Sequence, residues 1–164
     1  VVNPILNISD IPLTDHDHGD DFAARLGQFG PLIGLEQLGC RLVVVPPGKK
    51  AWPFHAHHVN EEMFVILEGT GTLRLGSETH PVTAGDVIAC PAGGPETAHQ
   101  LVNTGETELR YLAISTMRAP EVAEYPDSGK FAVISGSAPG GSKAARRLWY
   151  IGRAENTLDY WDGE

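Results

Sequence analysis

The stretch Gly48-Lys49-Lys50-Ala51-Trp52-Pro53-Phe54-His55-Ala56-His57-His58-Val59-Asn60-Glu61-Glu62 constrains the chain most tightly, because it sets two histidines two residues apart just before a strongly apolar run. On an extended strand, residues i and i+2 leave the same face, so the imidazoles of His55 and His57 stand side by side as a chelating pair. The run Met63-Phe64-Val65-Ile66-Leu67 then closes on Glu68-Gly69, with Glu62 at its head. A carboxylate at the mouth of a buried strand needs a partner, and a metal ion supplies one. A second stretch, Gly85-Asp86-Val87-Ile88-Ala89-Cys90-Pro91-Ala92-Gly93, leads through a Pro/Gly-rich turn to His99 and Asn103.

Together these stretches resemble the two signature motifs of the cupin superfamily. Gly48, His55, His57, Glu62 and Gly69 fit the first motif, with one extra residue between Gly48 and His55. Gly85, Pro91, Gly93, His99 and Asn103 fit the second, although five residues rather than two separate Gly93 from His99. The insertion Gly94 to Ala98 lengthens the loop before a candidate ligand and bears on the rim of the pocket more than on the ligand set. The resemblance implies an all-β fold, the double-stranded β-helix or jelly-roll barrel, here with an N-terminal arm and a C-terminal extension. It also implies a metal held by His55, His57, Glu62 and His99. Glu62 is preferred to Glu61 because six residues separate it from Gly69, as in the superfamily.

The rest of the chain agrees with an all-β domain. Nineteen Gly and twelve Pro in 164 residues supply the many turns that short strands require. The motif pair occurs once, which predicts one barrel: residues 1–37 as an arm with a short helix at Phe22 to Leu26, 38–116 as the barrel core, and 117–164 as strands and tail completing the same domain. The acidic cluster Thr14 to Asp21 reads as a solvated loop. Ala51 to His57 reads as a ligand-bearing strand, which by parity sends Trp52 and Phe54 to outer packing. The tail Leu158-Asp159-Tyr160-Trp161 is apolar enough that docking, on its own barrel or on a partner, is expected. Cys40 and Cys90 sit in apolar segments and read as buried thiols.

A formal net charge of −9 argues against nucleic acid and anionic membrane surfaces as partners. The absence of a long apolar run or a signal-like start leads to the expectation of a cytoplasmic protein. The apolar arm, with Val1, Val2, Ile5, Leu6, Ile8 and Ile11, and the apolar tail lead to the expectation of a homodimer.

Three imidazoles and a carboxylate make a mixed N/O donor set suited to a divalent transition metal such as Zn, Fe, Mn or Ni, and ill-suited to Ca or Mg. If Glu62 faces inward, parity sends Phe64 and Ile66 with it. The opposite register would bury Met63, Val65 and Leu67, which alternation alone leaves equally open. Phe64, Ile66 and Tyr111 are the expected pocket-lining residues, and Tyr111, Glu96 and His58 the candidate acid or base groups. His80 reads as exposed, and Arg41, Arg74 and Arg110 lie on strands without a cluster that points inward.

The resemblance admits sugar-phosphate isomerisation, dioxygenation, oxalate chemistry and plain ligand binding, and fold does not choose among them. The closing Tyr160-Trp161-Asp162-Gly163-Glu164 and the segment Tyr125 to Lys130 are similar to small bacterial cupins described by analogy as sugar-phosphate isomerases. The expected function is a metal-dependent enzyme of isomerase or dioxygenase type acting on a small polar or anionic carbon compound. The alternative is a small-molecule binding or sensing module without turnover.

Overall fold

The computed structural model describes residues 2–164. Thirteen strands follow one another: β1 Thr14–His18, β2 Phe22–Gln28, β3 Leu38–Val45, β4 Ala56–His57, β5 Glu62–Glu68, β6 Thr70–Leu75, β7 Glu78–Thr83, β8 Val87–Cys90, β9 His99–Val102, β10 Leu109–Thr116, β11 Glu121–Tyr125, β12 Lys130–Ser135 and β13 Leu148–Gly152. A six-stranded sheet runs in the order β1-β2-β3-β10-β5-β8, facing a three-stranded sheet β7-β6-β9 and a four-stranded sheet β13-β12-β11-β4. The fold is all-β, as the turn content predicts, and the helical pieces among the described residues are single 3₁₀ turns.

The core lies between the sheets and is built by alternation. Val43 and Val45 of β3, Phe64 and Ile66 of β5, Leu73 of β6, Leu101 of β9, and Leu109 and Tyr111 of β10 all point into it. Met63 is 38% exposed while Phe64 and Ile66 are buried, so the register left open by sequence is the one that carries Glu62 inward. Gly69 makes the tight link between β5 and β6 at φ +84°, and a side chain there would run into the Glu108 carbonyl. Only glycine meets both demands. Asn103, wholly buried, ties the next corner: its Nδ2 donates to the Val45 and Thr107 carbonyls at 2.8 Å each, and its Oδ1 accepts from Gly105 N at 3.0 Å.

Three expectations need correction, and that for the tail is narrowed. The segment Phe22–Leu26 is strand, not helix: it lies in β2, which pairs with β3 from Arg25↔Val44 to Gln28↔Arg41. Neighbouring backbone hydrogen bonds override the modest helical preference of Ala, Arg and Leu over so short a span. The cluster Thr14–His18 is likewise strand, an exposed edge paired with β2. Of the segment Ala51 to His57 only Ala56–His57 is strand, because bends occupy its first part. The tail does not dock on its own barrel: Leu158, Tyr160 and Trp161 are 75%, 84% and 72% exposed. The arm is divided. Leu6, Ile11 and Leu13 pack on Leu42 and Val44 at the outer face of β3, whereas Val2 and Ile5 are exposed.

Candidate metal centre

Three local pairings bring the four candidate ligands together. His55 and His99 face each other across an antiparallel bridge, with His55 N donating to His99 O at 3.2 Å and His99 N to His55 O at 2.8 Å. Residues directly opposite in such a pair project to the same side. His57 follows two residues after His55 and pairs with Ala123 of β11, and Glu62 opens β5 opposite Cys90. One ligand atom from each of His55, His57, Glu62 and His99 can be chosen so that all lie within 4.8 Å of one another. Donors about 2.1 Å from a common ion stand at most about 4.2 Å apart, so closing on an ion would take a contraction of about half an ångström.

The hydrogen bonds around the rings fix which nitrogen faces the centre. Nδ1 of His55 lies 2.8 Å from the Pro53 carbonyl and Nδ1 of His99 lies 3.2 Å from the Thr97 carbonyl. A carbonyl only accepts, so each Nδ1 carries the proton and each Nε2 presents its lone pair inward. Yet His99 Nε2 stands 3.0 Å from Glu62 Oε2. A neutral ring has one N–H and cannot serve two acceptors, so a cation, either a second proton or a metal ion, belongs between that nitrogen and that oxygen. Around His57 the same logic uses a carboxylate: Glu121 Oε2 is 3.4 Å from Nδ1, close but outside hydrogen-bond geometry, which leaves this buried Nδ1 unpartnered. Histidine ligands commonly turn their second nitrogen to a carbonyl or carboxylate in this way. The donor set and its orientation fit a transition-metal ion.

The electrostatics keep two of these groups ready. Burial alone would raise the Glu62 carboxyl, but the hydrogen bond to His99 and the imidazoles of His57 and His55 outweigh it and hold the group at about 2. Burial pushes the His55 imidazole down to about 4, against the pull of Glu62 and with help from His57 and His99. At neutral pH Glu62 is a carboxylate and His55 an uncharged base.

The site opens into a cavity of about 200 Å³ whose walls include His55, His57, Glu62, Phe64, Arg41, Trp52, Tyr125, Arg146 and Trp149. Of the residues expected to line it, Phe64 does. Ile66 and Tyr111 instead sit in the core, Tyr111 2% exposed with its ring edge-on to Phe64 at 5.5 Å. None of the expected acid or base groups reaches the cavity: His58 pairs with Glu124 at 2.9 Å, Glu96 lies on an exposed 3₁₀ turn within the insertion, and Tyr111 is enclosed. His80 is at the surface, 3.2 Å from Glu78. Trp52, expected in outer packing, lines the cavity because it lies on a bend where strand parity does not apply. Phe54 is buried under the Arg74 guanidinium, 4.1 Å from its ring. Glu121, Tyr125 and Arg146 were missed. They follow the motifs in sequence and reach the site only through the pairing of β11 with β4 and the return of the chain before β13.

Comparison with known proteins agrees with this architecture. Residues 41–115 match the family described as "Cupin domain". Auxin-binding protein 1 of Arabidopsis thaliana is 32% identical over 131 residues, 75% of this chain and 64% of that protein. The chain therefore spans a little under two thirds of that relative's length. A solved structure from Acidithiobacillus ferrooxidans superposes with a TM-score of 0.80 at 24% identity, covering 95% of this chain and 96% of the other. A sugar phosphate isomerase of the cupin superfamily from Silicibacter pomeroyi superposes with a TM-score of 0.75 at 26% identity, covering 97% and 98%. Cupins commonly bind a metal, and this chain carries a group of three histidines and a glutamate positioned to do so. From its two motifs, its strand order and these likenesses, the chain carries a cupin domain over residues 41–115 and has the fold of the cupin superfamily.

Proposed function

We propose that the protein is a metal-dependent cupin in which Nε2 of His55, His57 and His99 and a carboxylate oxygen of Glu62 hold a divalent transition metal, Zn, Fe, Mn or Ni. Its proposed role is to act on a small polar or anionic carbon compound in the adjoining cavity. One observation carries the reading: the donor lone pairs converge where His55, His57 and Glu62 also form the cavity wall, so a bound ligand and the ion would share a boundary. A metal ion held there supplies Lewis-acid polarisation of a carbonyl or activation of a bound water. Pro53 and Thr97 hold the rings of His55 and His99 by their carbonyls, and Phe64 closes the cavity beside the ligands.

Tyr125 is the candidate proton donor. It lines the cavity, its ring lies parallel to His55 at 6.1 Å, and burial raises its phenol so that it stays protonated at neutral pH. Isomerisation, which needs a proton moved between neighbouring carbons or oxygens, suits such a group. The likeness to the Silicibacter pomeroyi sugar phosphate isomerase supports the same class. A dioxygenase would use the same ligands with a redox-active iron.

The second reading is binding without turnover. It is favoured by the scarcity of proton carriers: apart from the candidate ligands and the arginines, Tyr125 and Cys40 are the titratable groups lining the cavity, and burial raises the Cys40 thiol. The auxin-binding relative is named for a bound ligand, which supports this reading too.

Elemental analysis of protein purified without a metal-chelate resin tests the ion, with His57→Ala and Glu62→Ala as controls that should lose it. Screening the metal-loaded protein with sugar phosphates and small oxo acids by mass spectrometry separates the two readings. Product formation abolished in Tyr125→Phe supports the enzyme; retention without product in the intact protein supports the binder. The exposed side chains of Leu148, Ile151, Tyr160 and Trp161 support assembly as a homodimer, and a monomer mass by light scattering at micromolar concentration would contradict it.

A further inference from the structure

Two guanidinium groups in the cavity wall have no carboxylate partner. Arg25, Arg74 and Arg110 each pair with an acid, Glu108, Asp127 and Glu68 respectively. Arg118, Arg147 and Arg153 are exposed, where water serves in place of a partner. Arg41 and Arg146 have neither remedy. Both are half-buried, both line the cavity, and neither forms an ion pair or donates a side-chain hydrogen bond among the described residues. The Nε of Arg146 is buried and unbonded. What they do have is aromatic: Arg41 lies 5.4 Å from the Trp52 ring and Arg146 lies 4.3 Å from the Trp149 ring. An aromatic face holds a guanidinium in place while leaving the N–H groups of its fork free.

The surrounding backbone is shaped to enclose these groups. Gln28 Nε2 donates to the Gly140 carbonyl at 3.2 Å, anchoring the segment that follows β12 against β2. Gly140 adopts φ +76°, and a Cβ there would come 3.1 Å from Arg41 Nη2. This segment continues to Arg146 and then to Trp149, so one strap both covers Arg41 and delivers the second cation. The Glu62 carboxylate in the same cavity acts on Arg41 through space, but it forms no ion pair with it, and burial still lowers the Arg41 guanidinium. Two half-buried arginines that face one cavity without an ion pair of their own are stabilised by an anion that enters it.

We propose that Arg41 and Arg146 form an oxyanion-binding end of the cavity, so that its ligand is a small organic acid with a metal-chelating oxygen pair at one end and a second oxyanion, carboxylate or phosphate, at the other. This rests on the metal reading for the chelating end only. The size is consistent: a cavity of about 200 Å³ lies below the roughly 300–1,000 Å³ of ordinary ligand pockets, which suits a small compound. Trp52, Trp149, Phe64 and Ile134 add apolar lining to the same cavity.

The test is equilibrium binding to the metal-loaded full chain with matched probes. 2-Oxoglutarate offers both ends with a carboxylate, 4-phosphono-2-oxobutanoate offers both with a phosphonate, and 2-oxopentanoate lacks the distal anion. Acetohydroxamate reports the metal alone. The intact protein should bind the better of the two dianions at least about tenfold more tightly than 2-oxopentanoate, as charge-assisted hydrogen bonds require. Arg41→Gln and Arg146→Gln should each erase most of that ratio while leaving acetohydroxamate binding unchanged. The preferred dianion then distinguishes carboxylate from phosphate recognition. Equal binding of dianions and 2-oxopentanoate by intact protein that does bind acetohydroxamate overturns the arginine end, without need of any variant. Protein that takes up no metal yet prefers a dianion through Arg41 and Arg146 supports the arginine end and refutes the metal reading; protein that does neither refutes both.

Discussion

Glu121 is the residue whose replacement tests the design of the site most severely. Its side chain is wholly buried and its two oxygens receive four donors: Val59 N and Val122 N at 3.0 Å each on Oε1, Asn60 N at 3.1 Å and Asn60 Nδ2 on Oε2. The carboxylate thereby pins the loop between His57 and β5 and sets Oε2 facing His57 Nδ1. In Glu121→Gln the amide keeps one oxygen. Whichever side its NH₂ takes, two donors lose their acceptor and meet another donor. At about 1.5–3 kcal/mol for each charge-assisted bond, the loss is about 3–6 kcal/mol, out of a typical total of about 5–15 kcal/mol. Urea unfolding of the metal-free protein, followed by tryptophan fluorescence, reads this directly. With a slope near 2 kcal/mol per molar, the midpoint should fall by roughly 1.5–3 M. Metal affinity should fall as well, by up to about 10–100-fold, because the carboxylate charge beside the outer nitrogen of His57 is removed and the loop that carries His57 is loosened.

The acid side gives a check on sign. Burial alone would raise the Glu121 carboxyl, but His57, Asn60 and the Val59 amide hold it below its ordinary value of 4.5. A depressed folded value means stability that is present above pH 4.5 and lost as pH falls, so the intact protein and Glu121→Gln should converge in acid. A midpoint shift under about 0.5 M at pH 7 would refute the reasoning, since it corresponds to less than one ordinary hydrogen bond.

Other perturbations have equally direct readouts. Both His55, at about 4 against an ordinary 6.5, and Glu62, at about 2 against 4.5, bind fewer protons folded than unfolded. Their contribution is complete above pH 6.5 and fades as pH falls toward 4 for His55 and toward 2 for Glu62, so metal-free protein should lose stability on acidification through that window. Equilibrium melts showing constant stability from pH 7 to 4 would contradict this. Gly69→Ala combines φ +84° with a clash against the Glu108 carbonyl, and should destabilise by more than about 2 kcal/mol; a melting temperature within a degree of the intact protein would be inconsistent. Asn103→Ala strips acceptors and donors from a fully buried corner and should cost about 2–4 kcal/mol in chemical denaturation, with a loss below about 1 kcal/mol as the contrary result.

The site was legible where chemistry and local geometry coincide in a short stretch. His55, His57 and Glu62 lie close together in one stretch, and His99 follows a second, similarly punctuated one, so the resemblance of the two stretches to the cupin motifs singles out all four candidates. The structure adds the reason they converge, the direct pairing of His55 with His99. The failures have a common physical cause. Phe22–Gln28 contains good helix formers, and only its hydrogen bonds to β3, far along the chain, make it a strand. Trp52 departs from the strand alternation because it lies on a bend, where successive side chains do not alternate between faces. Tyr111 is aromatic and inward, which sequence could suggest, but whether an inward residue meets the cavity or the core depends on its depth along β10. Glu121 and Arg146 lie 64 and 91 positions after His57 and His55 in a region with no motif, and nothing local marks Glu121. A weak signal existed for Arg146: an arginine next to an aromatic run after a glycine-rich strap is suited to closing over a pocket.

The central claim is that one ion sits among His55, His57, Glu62 and His99. Anomalous diffraction at the absorption edge of the metal found by elemental analysis tests it in a single map. The account predicts one strong peak about 2.0–2.2 Å from Nε2 of each of the three histidines and from a Glu62 oxygen. A map without a peak there, from crystals grown near pH 7 with metal supplied, or a peak lying outside this group, would contradict it.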